Sequence, residues 1–161
     1  MSKAAPRRPR TVTTRHTFHI VASRFNDRYV RGLIDHATAE LRKRAAGSRV
    51  SIHRVPGAFE IPVVVRELAS QNEADAIIAC GVILKGETTH AENLSRSVTH
   101  ALQRIAVDYG VPVINAVLSF ATESQADERC LGEKINRGTA AARAAIEIAG
   151  TMSTLRHKRH G

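Results

Sequence analysis

The hydrophobic positions along the chain follow two different spacings. In the first, apolar residues succeed one another in short runs, which is typical of strands that are buried on both faces. In the second, apolar residues recur every three or four positions, which predicts a helix with one buried face. The predicted strands cover residues 17–23, 50–55, 76–84 and 113–118.

Helices are predicted between these strands and after the last of them. Their apolar positions are Val30, Leu33, Ile34, Ala37 and Leu41; residues 61–65 and Leu68; Leu94, Val98, Ala101, Leu102 and Ile105; and Ala141, Ala144, Ala145 and Ile148. Pro62 suits the first turn of a helix because no backbone donor is needed there. Gly110 with Pro112 closes the third helix, and a short polar helix is predicted near residues 123–130.

Strand and helix therefore alternate along the chain. This order predicts an α/β fold with a four-stranded parallel sheet and helices on both of its faces. Ligands of such folds bind beyond the carboxyl ends of the strands. The loops that follow the strands are therefore the places where function is expected.

Charge is concentrated at the two ends of the chain. The 161 residues predict one domain, with a formal net charge of +9. Eight of the 24 Lys and Arg residues lie before Phe18 or after Leu155, and all 15 acidic residues lie between these positions. The nearly neutral centre argues against a nucleic-acid partner, and the ends could contact anionic surfaces or simply be solvated. We predict a basic flexible arm at residues 1–16, one domain at 17–155 and a basic tail at 156–161.

The sequence also indicates the compartment. Its longest stretch without a charge, residues 109–122, is shorter than the roughly 20 apolar residues of a membrane-spanning helix. The basic first residues do not resemble a secretory signal. Cys80 and Cys130 lie far apart, in no pattern typical of a zinc site, and free thiols indicate a reducing compartment. We predict a cytoplasmic protein that does not contact a membrane.

The loop after the third strand has features of a phosphate site. Residues 81–90, GVILKGETTH, combine two glycines and two threonines with the start of a helix, where backbone N–H groups attract anions. Glu87 stands where a nucleotide-binding P-loop has lysine, so a smaller phosphate is favoured over a nucleoside triphosphate. Alternatively, Thr88 or Thr89 simply caps the helix.

Four single residues are further candidates, each with a structural alternative. His90 lies in the first helical turn, where the dipole favours the neutral imidazole that acts as a base, although a lone histidine is more often structural. Phe25 could stack on a planar ring or fold back onto the helix. Glu60 could bind a polyol or amine, or complement a helix dipole. Arg129 could bind a phosphate or be a surface residue.

Four segments together resemble a known enzyme family. They are Arg24-Phe25-Asn26, the run VPGAFEIP at residues 55–62, the run GVILKGETTHAE at residues 81–92, and Asn136-Arg137-Gly138. The chain is similar to the 6,7-dimethyl-8-ribityllumazine synthases of riboflavin biosynthesis from Phe18 to Ala149. The resemblance implies a three-layer flavodoxin-like fold.

The resemblance also implies a reaction and a set of roles. The enzymes condense 5-amino-6-(D-ribitylamino)uracil with 3,4-dihydroxy-2-butanone 4-phosphate, releasing phosphate and water without a metal or organic cofactor. By position, His90 would move protons and Arg129 would provide counter-charge. The substrate-binding residues would be Phe25, Ala58, Phe59, Glu60, Val82, Ile83, Leu84 and Asn115, and the phosphate-binding residues would be Glu87, Thr88 and Arg129.

The same resemblance implies a homo-oligomer with active sites between subunits. Asn115 and Arg129 would come from a neighbouring subunit, in a pentamer or a multiple of pentamers, and riboflavin synthase is a further expected partner. The sequence departs from the common family pattern at Ala91, Asn115 and Ser119-Phe120. A paralogue of the same fold that binds flavin or lumazine without synthase activity is the alternative interpretation.

Overall fold

The computed structural model describes Ala4, residues 6–8 and residues 14–159. Within this part, four strands and five α-helices follow one another. The strands are β1 (Thr17–Ser23), β2 (Arg49–Val55), β3 (Ala76–Leu84) and β4 (Val113–Phe120). The helices are α1 (Asp27–Arg44), α2 (Ile61–Ser70), α3 (His90–Tyr109), α4 (Glu123–Ala126) and α5 (Arg137–Arg159). A 3₁₀ turn (Ala58–Glu60) precedes α2, and a π-helical turn (Asp127–Leu131) follows α4.

All strand pairs are parallel, in the order β2-β1-β3-β4. Ala22, near the end of β1, lies opposite Arg54, near the end of β2, and opposite Cys80 in the middle of β3. Because the strands are parallel, their carboxyl ends point to the same end of the sheet. The chain leaves β1 for β2 on one side and returns to place β3 on the other. The crevice beyond the carboxyl ends of β1 and β3 is therefore the switch point at which open α/β sheets bind ligands.

Two apolar cores lie on the two faces of the sheet. Phe18 and Ile20 of β1 and Ile78 of β3 face α1 and α5, with Leu33 among the residues of α1 that they meet. The opposite face packs against α2 and α3. Of the nine residues of β3, eight are buried, which confirms that helices cover this strand on both sides.

The predicted fold class is confirmed: the molecule has three layers, with a parallel sheet between two layers of helices, as in flavodoxin-like proteins. The predicted helix ends agree as well. Pro62 lies in the first turn of α2, and Gly110 ends α3 in the left-handed conformation, with φ 65°. That conformation favours glycine because it carries no Cβ.

The ends of the chain differ in what the structure describes. Most of the predicted arm, residues 1–16, lies outside the described residues, including Lys3 and Arg10. At the other end α5 continues to Arg159, so residues 156–159 of the predicted tail are helical. The division into arm, domain and tail stays a prediction. Among the described residues, every helix is too short or too polar to cross a membrane.

Candidate active site

A cavity of about 680 Å³ lies at the switch point between β1 and β3. Three loops surround it, one from each of the first three strands. The lining residues are Phe25, Asn26, Gly57, Ala58, Phe59, Glu60, Val82, Ile83, Leu84, Gly86, Thr88, His90, Ala91 and Leu94. The cavity therefore brings together nine of the residues that the sequence proposed for a site.

The loop between β1 and α1 contributes an aromatic ring and an amide. The side chain of Phe25 is 75% exposed, so it does not fold back onto α1 as the structural alternative required. Asn26 adopts the left-handed conformation, with φ 55°, and its Nδ2 donates to the carbonyl of Val82 at 2.7 Å. This hydrogen bond joins the loop to β3 across the switch point. The ring of Phe25 is thereby left open to the cavity.

The loop after β2 presents a second aromatic ring beside a carboxylate. The N–H of Gly57 donates to Oε2 of Glu60 at 2.9 Å, which fixes the carboxylate at the beginning of α2. Phe59 is 68% exposed and Ala58 is buried against the sheet. Glu60 thus satisfies a local donor with one oxygen while its side chain also lines the cavity.

The loop after β3 forms the third wall. Residues 85–90 are all exposed, and the N–H of Lys85 donates to the carbonyl of Phe120 at 2.9 Å, which ties the start of this loop to β4. Thr89 is the N-cap residue of α3, but its side chain makes no capping hydrogen bond. Side-chain capping therefore does not account for Thr89. The first N–H groups of α3 lie at the same end of the fold as the cavity, which His90 at the start of this helix lines.

Three predicted residues do not line this cavity: Glu87, Asn115 and Arg129. Glu87 lies in the exposed loop between two lining residues, Gly86 and Thr88. Asn115 lies on β4, where its Nδ2 donates to Oγ1 of Thr99 at 3.3 Å. Within a single chain, Asn115 and Arg129 therefore lie outside the cavity that contains most of the predicted site residues.

Arg129 lies on the π-helical turn, with an acidic neighbour, Glu128, and a basic one, Arg137. Its Nε is 3.9 Å from Oε2 of Glu128, and its side chain is mostly buried. Nearby, the pKa of Arg137 is lowered, first by burial and then by the positive charge of Arg129. Two guanidinium groups in one partly buried region favour the binding of an anion.

The family model of 6,7-dimethyl-8-ribityllumazine synthase matches residues 15–153 of this chain. The chain belongs to this family. A relative from Burkholderia pseudomallei (strain K96243) is 41% identical over 137 residues, which is 84% of this chain and 77% of the relative. One from Paraburkholderia phymatum is 42% identical with the same coverage. Both relatives are named 6,7-dimethyl-8-ribityllumazine synthase.

Membership in the lumazine synthase family confirms the resemblance drawn from the four sequence segments. Two of these segments, VPGAFEIP and GVILKGETTHAE, supply most of the cavity lining. Sequence reasoning did not assign Asn26, Gly57, Gly86 or Leu94 to the site. Asn26 could have been found, because asparagine is enriched among residues that adopt the left-handed conformation and here it directly precedes a helix. Leu94, in contrast, has the spacing of an ordinary core residue.

Within the part of the chain that the structure describes, His, Cys, Asp and Glu side chains are nowhere grouped in threes as a metal site. The cavity lining combines an imidazole, a carboxylate and a hydroxyl with two aromatic rings. Such a lining can hold a planar polar molecule, bind hydroxyl groups and exchange protons.

Proposed function

We propose that this chain catalyses the condensation of 5-amino-6-(D-ribitylamino)uracil with 3,4-dihydroxy-2-butanone 4-phosphate to give 6,7-dimethyl-8-ribityllumazine and phosphate. Its membership in the lumazine synthase family supports the reaction. The single observation that supports its location is the cavity at the switch point, because the two segments most similar to the family line it together.

The pyrimidine substrate binds between the first and third loops in this proposal. Phe25 is exposed at the rim of the cavity, where its ring can stack on a heterocycle. Val82, Ile83 and Leu84 meet the pyrimidine largely through their backbone. Ala58, Phe59 and Glu60 hold the ribityl chain, whose hydroxyl groups suit a carboxylate acceptor.

The phosphate of the second substrate binds at the beginning of α3. Glu87 and Thr88 precede this helix of 20 residues and present backbone N–H groups to the anion. Arg129 supplies the counter-charge. Since Arg129 does not line the cavity of its own chain, we infer that it reaches the site of a neighbouring subunit. Asn115 is assigned to the neighbouring subunit for the same reason.

His90 moves protons during imine formation, phosphate elimination and ring closure. It is exposed at the first residue of α3 and lines the cavity next to the proposed phosphate position. Holding two substrates in contact provides a large part of the acceleration, of the order of several kcal/mol, so a few well-placed groups suffice.

The shared site implies a homo-oligomer, and we propose a pentamer or a multiple of pentamers. Val63 on α2 and Val107 on α3 are 65% and 70% exposed, and packing between copies of the chain on this side would bury them. We also place the protein in the cytoplasm, since Cys80 and Cys130 are both buried free thiols. Contact with a riboflavin synthase stays a prediction.

The test is to mix the purified protein with both substrates and follow the absorbance of the lumazine product. A sample without protein measures spontaneous condensation. We expect acceleration by the protein, and a loss of roughly 100-fold in kcat for His90→Ala. His100→Ala is the matched control, because His100 is also exposed on α3 but does not line the cavity.

A folded, assembled protein that does not accelerate the reaction would contradict the proposal. Titration with riboflavin and with the lumazine would then show whether the chain is a binding paralogue. Equal turnover of His90→Ala and wild type would reject the proton-transfer role while leaving the reaction itself in place.

A further inference from the structure

The loop between β1 and α1 needs external ties to hold its shape. It is short, it places Asn26 in the left-handed conformation with φ 55°, and it exposes Phe25 to solvent. A non-glycine residue in this conformation is held there by its surroundings. The position of the Phe25 ring at the cavity therefore depends on the groups that bind the loop.

Arg54 of β2 binds this loop at both of its ends. Its Nη2 donates to the carbonyl of Ser23 at 3.0 Å, where the loop begins, and to Oδ1 of Asp27 at 2.6 Å, where α1 begins. Its Nε lies 3.4 Å from the carbonyl of Ala22. Only a guanidinium has several donors in a rigid fork, so one arginine can bridge strand and helix in a way that lysine cannot.

Opposite charge and the burial of Arg54 favour this contact, although the Asp27 side chain is 40% exposed. The Arg54 side chain is 19% exposed, so water competes poorly for its donors. The hydrogen bond from Arg54 holds the pKa of Asp27 below its usual value, against the opposing effect of burial and with support from Arg31. Arg31 binds the other oxygen of the same carboxylate, Oδ2, at 2.6 Å, but its own side chain is 70% exposed.

The backbone after Arg54 holds the middle of the same loop. The N–H of Arg24 donates to the carbonyl of Val55 at 2.8 Å, and the N–H of Phe25 donates to that of Pro56 at 3.2 Å. The loop thus rests on the end of β2, and the side chain of Arg54 fixes it at both sides of Phe25. A change at Arg54 should move the ring while leaving the loop after β3 in place.

We propose that Arg54, through Asp27 and the carbonyl of Ser23, is a positioning residue that sets the place of Phe25 and thereby the affinity for the pyrimidine substrate. This inference rests on the proposed function. Because Glu87 and Thr88 belong to the separate loop after β3, the phosphate-bearing substrate is not affected in the same way. If Arg54 positions Phe25, its substitution should therefore raise KM for the pyrimidine and leave KM for the sugar phosphate nearly unchanged.

The experiment measures steady-state kinetics with each substrate varied in turn. For Arg54→Gln we expect KM for the pyrimidine to rise roughly tenfold, which corresponds to the loss of charged hydrogen bonds, while KM for the sugar phosphate changes less than about twofold. Arg31→Gln is the matched control, since it removes a cation from the same carboxylate without touching the Ser23 carbonyl. It should change both KM values by less than about twofold.

Asp27→Asn provides an independent test of the same contact. We expect it to raise KM for the pyrimidine selectively, and the double variant with Arg54→Gln to show less than the product of the two single effects. If Arg54→Gln does not fold, as judged by circular dichroism, Asp27→Asn and Arg54→Lys replace it. Arg54→Lys should have a smaller selective rise, because it keeps the charge but loses the fork.

Three results would overturn the inference: an unchanged KM for the pyrimidine, an equal rise for both substrates, or equal effects of Arg54→Gln and Arg31→Gln. Inactive wild-type protein would instead refute the proposed function. In that case fluorescence titration with 6,7-dimethyl-8-ribityllumazine compares wild type with Arg54→Gln, and equal affinities, or no binding to either, would overturn the positioning role as well.

Discussion

The two helical layers cover the sheet to different extents. Both α1 and α3 lie wholly within the described residues, yet α1 buries nine of its 18 residues and α3 buries only three of its 20. On the α1–α5 side the helices also pack against each other, with Glu40 of α1 bound to Arg143 of α5 at 2.9 Å. On the α2–α3 side, Val63 and Val107 remain exposed.

This difference separates stability from function. Around α1 this side is packed by the chain itself, although Leu155 near the end of α5 is 54% exposed, so substitutions between α1 and α5 should mainly change the free energy of unfolding. The α2–α3 side borders the cavity and presents apolar surface, so it is the side available to substrates and to other copies of the chain. Substitutions matched in chemistry but placed on the two sides should therefore have different effects.

The largest effect is expected at Gly138, where the backbone of α5 lies close to that of α1. A Cβ added at Gly138 would lie 2.3 Å from the carbonyl oxygen of Leu33, whereas one added at Gly150 would have no atom within 4 Å. Because the neighbour of Gly138 is backbone and cannot turn aside, Gly138→Ala should lower the free energy of unfolding by about 3 kcal/mol. Gly150→Ala should raise it by about 0.5–1 kcal/mol, since alanine favours a helix.

Urea unfolding followed by circular dichroism measures both variants under one set of conditions. The two substitutions are identical and lie on the same helix, and helix propensity alone predicts that neither lowers the free energy of unfolding. Equal changes for Gly138→Ala and Gly150→Ala would mean that the α1–α5 contact is not the close one described.

An intermediate effect is expected from the ion pair between the same two helices. Burial alone raises the pKa of Glu40, but hydrogen bonds and charge from Arg143 and Arg44 outweigh it, so the pKa lies below its usual value. A lowered pKa stabilises the fold above the usual pKa of Glu, and this contribution is lost as pH falls through the folded value. Glu40→Gln should cost about 1–2 kcal/mol at pH 7.

The cost of Glu40→Gln should diminish as pH falls below the usual pKa of Glu and through the lower folded pKa of Glu40, since the wild-type carboxylate then becomes protonated. Urea unfolding at several pH values gives this curve. Arg104→Gln, which breaks an exposed pair with Asp108 within α3, is the control and should change stability by less than about 0.5 kcal/mol. If the difference in the free energy of unfolding between Glu40→Gln and wild type does not vary with pH, the ionised Glu40 carboxylate is not the group that stabilises the fold.

The sequence predicts the fold well because local spacing and burial agree. The run at 76–84 is apolar throughout since both faces of β3 are covered, and the spacing of Leu33 and Leu41 matches the buried side of α1. β4 ends at Phe120, two residues later than predicted, and β2 begins at Arg49, one residue earlier than predicted. β2 lies at the edge of the sheet, and its Ile52 is 46% exposed. Its apolar pattern is therefore incomplete.

The candidate site was only partly predictable, because some of its contacts join residues that are distant in the chain. The loop residues Phe25 and His90 were found from motifs. The contact between Arg54 and Asp27 gives no such signal: an arginine in an edge strand and an aspartate at a helix start are both ordinary by themselves. Parallel strand pairing brings them together, and spacing along the sequence does not encode it.

The smallest effect is expected from Val63 on the outer surface of α2, which differs in exposure from Val65 by about two thirds. Val65 is fully buried, and Val63, two residues earlier, is 65% exposed. Val65→Ala should lower the free energy of unfolding by about 1–2 kcal/mol, since it leaves a cavity in the core, and Val63→Ala by less than about 0.5 kcal/mol. The two variants lose the same two methyl groups in one helix.

The free energy of unfolding of Val63→Ala is to be measured over a range of protein concentrations. A loss of stability that grows with concentration would show that another copy covers this surface. A large loss at every concentration would contradict the open character of the α2–α3 side.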